Sequence, residues 1–166
     1  MSNELYINSA QAGVQIALVR DKKLIELHQE GLSRNFSVGD IYLGQIRKMM
    51  TGLNAAFVDV GYEKDAFLHY LDLGPQIKSL NKFTKFAIQG GIKTGDLRDF
   101  SLEEDIVKSG KINEVLTKNN PVLVQVVKEP ISSKGPRISS QISLPGRYMV
   151  LIPFSSQVSV SKKIKS

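Results

Sequence analysis

The sequence predicts a mainly β fold of short strands, and three observations carry that prediction. Residues 53–60 and 65–69 alternate with the two-residue period of a strand, so that Ala56, Val58 and Val60 fall opposite Ala55, Phe57 and Asp59. Residues 122–128 (VLVQVVK) are rich in β-branched side chains and are followed by the turn-forming SSKGP at 132–136. Near the N-terminus, three apolar stretches are punctuated by Ala12-Gly13 and Asp21-Lys22.

Taken in order, residues 4–8, 14–20 and 23–29 read as a small meander of three strands. Residues 38–71 hold further strands, with Gly39 and Gly44 in the opening VGDIYLGQI. Residues 72–120 are a long excursion. Its first part, LGPQIKSLNKFTKFAIQGGIKTGD, has turn signals and scattered apolar residues but no clean period. Its second part, FSLEEDIVKSG, pairs Ser101 with Glu104 three residues on, as a capping box does, and ends at Gly110. This predicts a short helix over 102–109. Beyond it come the 122–128 strand, a returning strand over 137–143 and a buried strand over 148–152. There is no internal repeat and no low-complexity tract.

The 166 residues suffice for one ordinary domain, or for a small domain plus pieces of another. At 42% hydrophobic content a core can form, which excludes wholesale disorder. With no cysteine, a disulfide scaffold, a thiol nucleophile and Cys-ligated zinc are excluded. No apolar run approaches ~20 residues and MSNELYINSAQ has no signal-peptide core, so the expectation is a cytoplasmic protein without a membrane partner.

The net charge of +6 is unevenly placed. Acidic and basic side chains balance over residues 1–127. The excess lies in 128–166, where Lys128, Lys134, Arg137, Arg147, Lys162, Lys163 and Lys165 face only Glu129. Clustered basic charge is the footprint of a phosphate-binding surface. A short tail such as 162–165 serves solubility just as well. Lys128, Lys134 and Arg137 flank a turn between strands, where solubility explains less.

The alternation also sets Ala66 and Leu68 against Asp65, Phe67 and His69. Phe57 and Phe67 therefore share a face with carboxylates and an imidazole. Aromatic rings on a polar sheet face suit single-stranded nucleic acid, because every base offers a π-face for stacking. The competing reading is that twist or a bulge returns one ring to the core.

VGDIYLGQI, then AAFVDVG at 55–61 and AFLHYLDL at 66–73, resembles the S1 RNA-binding domain, a five-stranded OB-fold barrel. The resemblance implies that Phe57, Phe67 and His69 line an RNA face. One departure is Ala66, where many members have glycine; its small side chain should do little harm. The block VLVQVVKEPISSKGPRISSQISLPGRYMVLIPFSSQVSVSKKI and the opening ELYINSAQAGVQIALVRDKKLIELHQE are similar to the bacterial ribonuclease E/G family, nearer to its ribonuclease G type. The resemblance is weakest over 72–120.

That family resemblance implies three parts. Residues 1–37 would be an N-terminal β segment of a split RNase H-like domain. Residues 38–140 would be the S1-like domain, with an insertion at 72–120. Residues 141–166 would begin a 5′-sensor region. Lys128 and Lys134 match lysines that contact RNA, and Arg137 flanks the same turn. Gly146 and Val150 match one wall of a pocket for a 5′-monophosphorylated end, whose phosphate-gripping residues would lie past Ser166. At 138–143, ISSQIS departs from relatives that carry threonine and an acidic residue, which affects 139–141 and leaves the lysines untouched. The family's catalytic magnesium and protomer-linking zinc belong to parts beyond Ser166. The expectation is therefore no catalytic residue, no metal and no cofactor in this chain, single-stranded RNA as partner, and no cleavage by this chain alone. An unpaired N-terminal β segment also offers a route to self-association. A reading of another class is a protein-interaction OB-fold module using the phenylalanines as an apolar anchor.

Other motifs are weaker. QGGIKTGD fails the P-loop spacing, because Lys93-Thr94 precedes its second glycine turn. Asp96, Asp99, Glu103, Glu104 and Asp105 could hold magnesium in principle, yet glutamates in a first helical turn are ordinary. His28 and His69 have no second histidine nearby in sequence, which argues against a zinc site or general base.

Overall fold

The computed structural model describes residues 2–10, 13–30, 36–91, 97–98, 100–157 and 159–161. Lys93, Thr94, Asp96, Asp99, Lys162, Lys163 and Lys165 lie outside the described residues. The chain divides into two compact units, Met1–Asn35 and Phe36–Ser166.

The first unit is an antiparallel meander of β1 (Asn3–Ala10), β2 (Gly13–Arg20) and β3 (Lys23–Glu30). Its second turn carries positive φ at both Asp21 (47°) and Lys22 (64°), the primed geometry that matches strand twist in tight hairpins. Apolar residues meet across strands, with Leu5 opposite Leu18 and Ile7 opposite Ile16. All eight residues of β1 are nevertheless exposed.

The second unit is organised by a closed barrel in the order β4-β5-β6-β8-β7. Its strands are β4 (Ile41–Met50), β5 (Ala55–Asp59), β6 (Ala66–His69), β7 (Pro121–Lys128) and β8 (Arg137–Ser139). Four of the five pairings are antiparallel, and β6 with β8 is parallel. This is the mixed five-stranded barrel expected of an OB-type fold. Ile46, Val58, Leu68, Val122, Val124 and Ile138 are fully buried and fill it. Ala66 is fully buried among them, so its single methyl is accommodated. Gly44 lets β4 and β5 approach closely, since a Cβ there would meet Val58 Cγ1 at 2.5 Å.

The 72–120 segment corrects two expectations. The helix lies over α1 (Ile77–Ile88), and no helix forms over 102–109. Helix α1 packs against β7 and buries Ile77, Leu80 and Thr84, which have helical spacing, together with Ser79. Two of these four positions are polar, which blurred the apolar period. Thr84 Oγ1 donates to the Leu80 carbonyl at 2.7 Å, while Ser79 Oγ accepts from the Glu103 amide at 2.9 Å. Gly90 (φ 73°) ends the helix, and Gly91 leaves room for the Phe86 ring.

Residues 101–106 instead run as a strap beside α1. The Ile106 amide donates to the Pro75 carbonyl, Gln76 Nε2 to Asp105, and Lys82 Nζ to Glu103 at 2.7 Å. These tertiary partners outbid a marginal local helix, since short isolated helices gain little in water. Ser101 accepts from Lys82 Nζ through its carbonyl and its hydroxyl, so it does not cap a helix. Lys82 also holds the Glu103 carboxyl below its usual range. A short helix, α2 (Ile112–Val115), follows and buries Ile112, whose amide donates to Asn54 Oδ1.

The last part forms a small antiparallel sheet in the order β11-β10-β9, from β9 (Leu144–Pro145), β10 (Met149–Leu151) and β11 (Ser159–Val160). Strand β10 was expected to be buried, but Met149 is 63% and Leu151 61% exposed. An apolar run alone does not distinguish a buried strand from an exposed one. The returning strand is also shorter than 137–143, because Ser140 and Gln141 bend away after Ser139. No helix among the described residues is long and apolar enough to cross a membrane.

Candidate nucleic-acid interface

Ala56 and Val58 of β5 point into the core, and the pleat turns Phe57 to the other face. Phe67 lies directly opposite it on β6. Both rings are half-buried and meet edge to face, with centroids 5.8 Å apart. His69 continues the same face, 6.5 Å from the Phe67 ring. Its Nδ1 accepts from the Leu71 amide at 3.1 Å, which fixes the imidazole and leaves Nε2 to point elsewhere.

The phenylalanines open onto a groove of about 720 Å³ that also takes in Lys128, Lys134 and Arg137. Register explains the assembly: Phe67 pairs with Arg137, and Arg137 with Lys128. Lys134 stands on the turn whose Ile131 and Lys134 bridge one another. Gly135 presses this turn against the neighbouring loop, since a Cβ there would meet the Asp65 carbonyl oxygen at 2.2 Å. The Phe67 amide then donates to the Pro136 carbonyl at 3.0 Å.

The cations are held differently. Arg137 makes a forked pair with Asp72, at 3.0 and 2.9 Å, so it presents an oriented guanidinium. The ammonium groups of Lys128 and Lys134 have no ion-pair partner among the described residues. Free ammonium groups beside half-buried rings that open onto a groove can contact phosphate while bases stack.

Sequence reasoning passed over two groove residues. Lys64 donates to the Ser132 carbonyl at 3.0 Å, and Ile131 stands 70% exposed on the rim. Both belong to loops, where no period marks a direction. Val150 lies on β10 and Gly146 in the turn joining β9 to β10, so both belong to the small sheet rather than to the barrel. The Gly146 amide donates to the Met149 carbonyl at 2.8 Å, and Val150 pairs with Pro145 and Ser159. His28 lies on β3, beside Glu26 at 3.2 Å. Among the described residues no group of three or more His, Asp or Glu is gathered as a metal site would need.

A further ion pair stiffens the barrel near this face. Asp59 Oδ1 accepts from the Gly61 amide at 2.9 Å, and its Oδ2 pairs with Arg47. The amide first, and then the guanidinium, hold its carboxyl below the ordinary aspartate range.

No family model matches the chain. Among curated proteins, it is 32% identical over all 166 residues to ribonuclease G of Salmonella typhimurium (strain SL1344) and of Escherichia coli (strain K12). That match covers 100% of this chain and 30% of each relative. Ribonuclease G of Haemophilus influenzae is 34% identical over 163 residues, covering 98% of this chain and 29% of that protein. Ribonuclease E of a Nostoc species is 37% identical over 131 residues, covering 78% of this chain and 15% of that protein. The chain thus spans less than a third of the length of these relatives.

Proposed function

We propose that this chain, matched along its whole length by ribonuclease G and hence corresponding to part of a ribonuclease E/G family protein, binds single-stranded RNA. The observation that carries the reading is the cross-strand pair of Phe57 and Phe67, set in one groove with Lys128 and Lys134, which have no ion-pair partner among the described residues. The rings would stack bases, which is tolerant of sequence, while the lysines would hold the backbone. Arg137, already braced by Asp72, would present its outer N–H groups to a phosphate.

In this reading the chain serves an endoribonuclease of RNA processing and decay in the cytoplasm, and its own part is to hold substrate. Gly146 and Val150 would contribute one wall of a 5′-end pocket. No metal or other cofactor is assigned to these 166 residues, and no cleavage is expected of them alone. Residues 1–37, 38–140 and 141–166 would serve as RNase H-like segment, S1-like domain and sensor start. Strand β1, a free sheet edge, would be the route to any self-association.

One observation favours a protein partner instead: Ile131, 70% exposed, extends the apolar surface beside the rings. Fluorescence anisotropy with a short single-stranded RNA across a salt series separates the two. The RNA reading expects affinity to fall linearly in log–log form as salt rises. Absent binding, or binding indifferent to salt, would sink it.

A further inference from the structure

Strands β4 and β7 each contain a bulge, and the two bulges do the same thing. On β4 the register shifts between Ile46 and Lys48, so Arg47 and Lys48 are exposed in succession after the buried Ile46. On β7 it shifts between Val126 and Lys128, so Val127 and Lys128 are exposed in succession after the buried Val126. Simple alternation from Ile46 or Val126 would send either lysine into the core. A bulge re-aims the side chain that follows it. Here both bulges turn a lysine onto the face of the phenylalanines.

The consequence is one unbroken lateral row. Lys48 pairs with Phe57, Phe57 with Phe67, Phe67 with Arg137, and Arg137 with Lys128. The row crosses all five barrel strands, with an ammonium group at each end and two rings between. Its four inter-strand steps of ~4.8 Å span ~19 Å. The neighbouring Arg47 is committed to Asp59, whereas Lys48 has no hydrogen-bond or ion-pair partner among the described residues. Lys48 also lies outside the groove that holds Lys128 and Lys134.

We infer that Lys48 is a second phosphate-contact site, at the opposite end of the aromatic pair from Lys128, so that a bound strand runs across the barrel strands from one lysine to the other. This rests on the single-stranded RNA reading above and gives it a path and a length. At ~3.4 Å per stacked nucleotide, about six nucleotides are needed to reach from end to end. A shorter strand engages the rings and one lysine only.

The test is anisotropy with the full chain, over a salt series, using an oligouridine long enough to span the row and another too short to do so. With the long RNA, Lys48→Gln should lower the slope of log affinity against log salt by about 0.7, one phosphate on a single strand. Lys128→Gln should do likewise, and the double variant should lose about twice that. Lys48→Arg should restore the slope. With the short RNA, which reaches only one of the two lysines at a time, the double variant should lose no more than about one phosphate's worth of slope. An unchanged slope for Lys48→Gln with the long RNA, alongside a reduced one for Lys128→Gln, would overturn this inference and leave the RNA reading standing. A double variant that loses as much slope on the short RNA as on the long one would overturn the end-to-end path. Failure of the unmodified chain to bind either RNA would overturn the underlying reading itself.

Discussion

The meander β1–β3 and the barrel β4–β8 are both sheets with good registers, yet they bury their side chains very differently. In the barrel, Ile46, Val58, Leu68 and Ile138 are fully buried. In the meander, Leu5, Ile7, Leu24 and Leu27 are all more than half exposed. Backbone pairing gives each sheet its shape. The removal of apolar surface from water, at roughly 25 cal/mol per Å², stabilises one far more than the other. Hydrogen bonds alone contribute little net, because water supplies the same bonds to the open chain.

Hydrogen exchange should give the widest contrast. Amides of Val122, Val124 and Val126 should exchange only through near-global opening, on the order of 5–15 kcal/mol for a stable domain. Those of Leu5, Ile7 and Ile16 should open locally at a small fraction of that cost. Equal protection in the two regions would show that the meander has found a burial partner and would break the contrast.

Mutation reads the same difference. Ile138→Ala or Leu68→Ala should cost the fold about 2–5 kcal/mol in denaturant unfolding. Leu5→Ala or Leu27→Ala should leave the barrel's unfolding midpoint within roughly 0.5 kcal/mol. A meander variant as costly as a core variant would mean that the two regions unfold as one.

The outer face of the barrel should be sensitive in binding rather than folding. Phe57→Ala or Phe67→Ala should each lose about 1–3 kcal/mol of single-stranded RNA affinity, with the salt slope nearly unchanged. Each ring is half-buried, so its loss should destabilise the barrel by less than the ~3–5 kcal/mol of a buried phenylalanine. Unfolding on either substitution would mark that ring as core. Lys134→Ala should act more weakly, trimming the salt slope by about 0.7 in the same assay. An unaltered slope would remove Lys134 from the interface.

The smallest effect concerns acid. The Asp59 carboxyl is depressed in the folded barrel, so it titrates lower there than in the unfolded chain. Its stabilising contribution is fully present above the unfolded pKa and is lost as pH falls through the folded one. Asp59→Asn should therefore flatten the acid limb of the barrel's stability curve and leave exchange in the meander untouched. An unchanged acid limb would mean that the pair with Arg47 adds nothing, as many exposed pairs do.

Much of this molecule was legible from residue order. Strands β1, β2, β3 and β7 follow from alternation, β-branching and turn residues, because those signals are local. The same alternation put Phe57, Phe67 and His69 on one outer face, and the motif spacing around them pointed to an OB-type barrel. What residue order could not supply was whatever depended on contacts distant in sequence. Helix α1 was hidden because Ser79 and Thr84 occupy buried positions, satisfied by Glu103 and the Leu80 carbonyl. The strap at 101–106 carried a sound capping signal, yet its polar groups were claimed by Gln76, Ser79 and Lys82. Strand β10 has a core-like sequence and an exposed position, since burial belongs to neighbours and not to a strand. Lys48 was invisible for a sharper reason. A two-residue period predicts a side chain's face only while the register holds, and a single extra residue in β4, which only the pairing with β5 reveals, turned that lysine from the core to the row of rings.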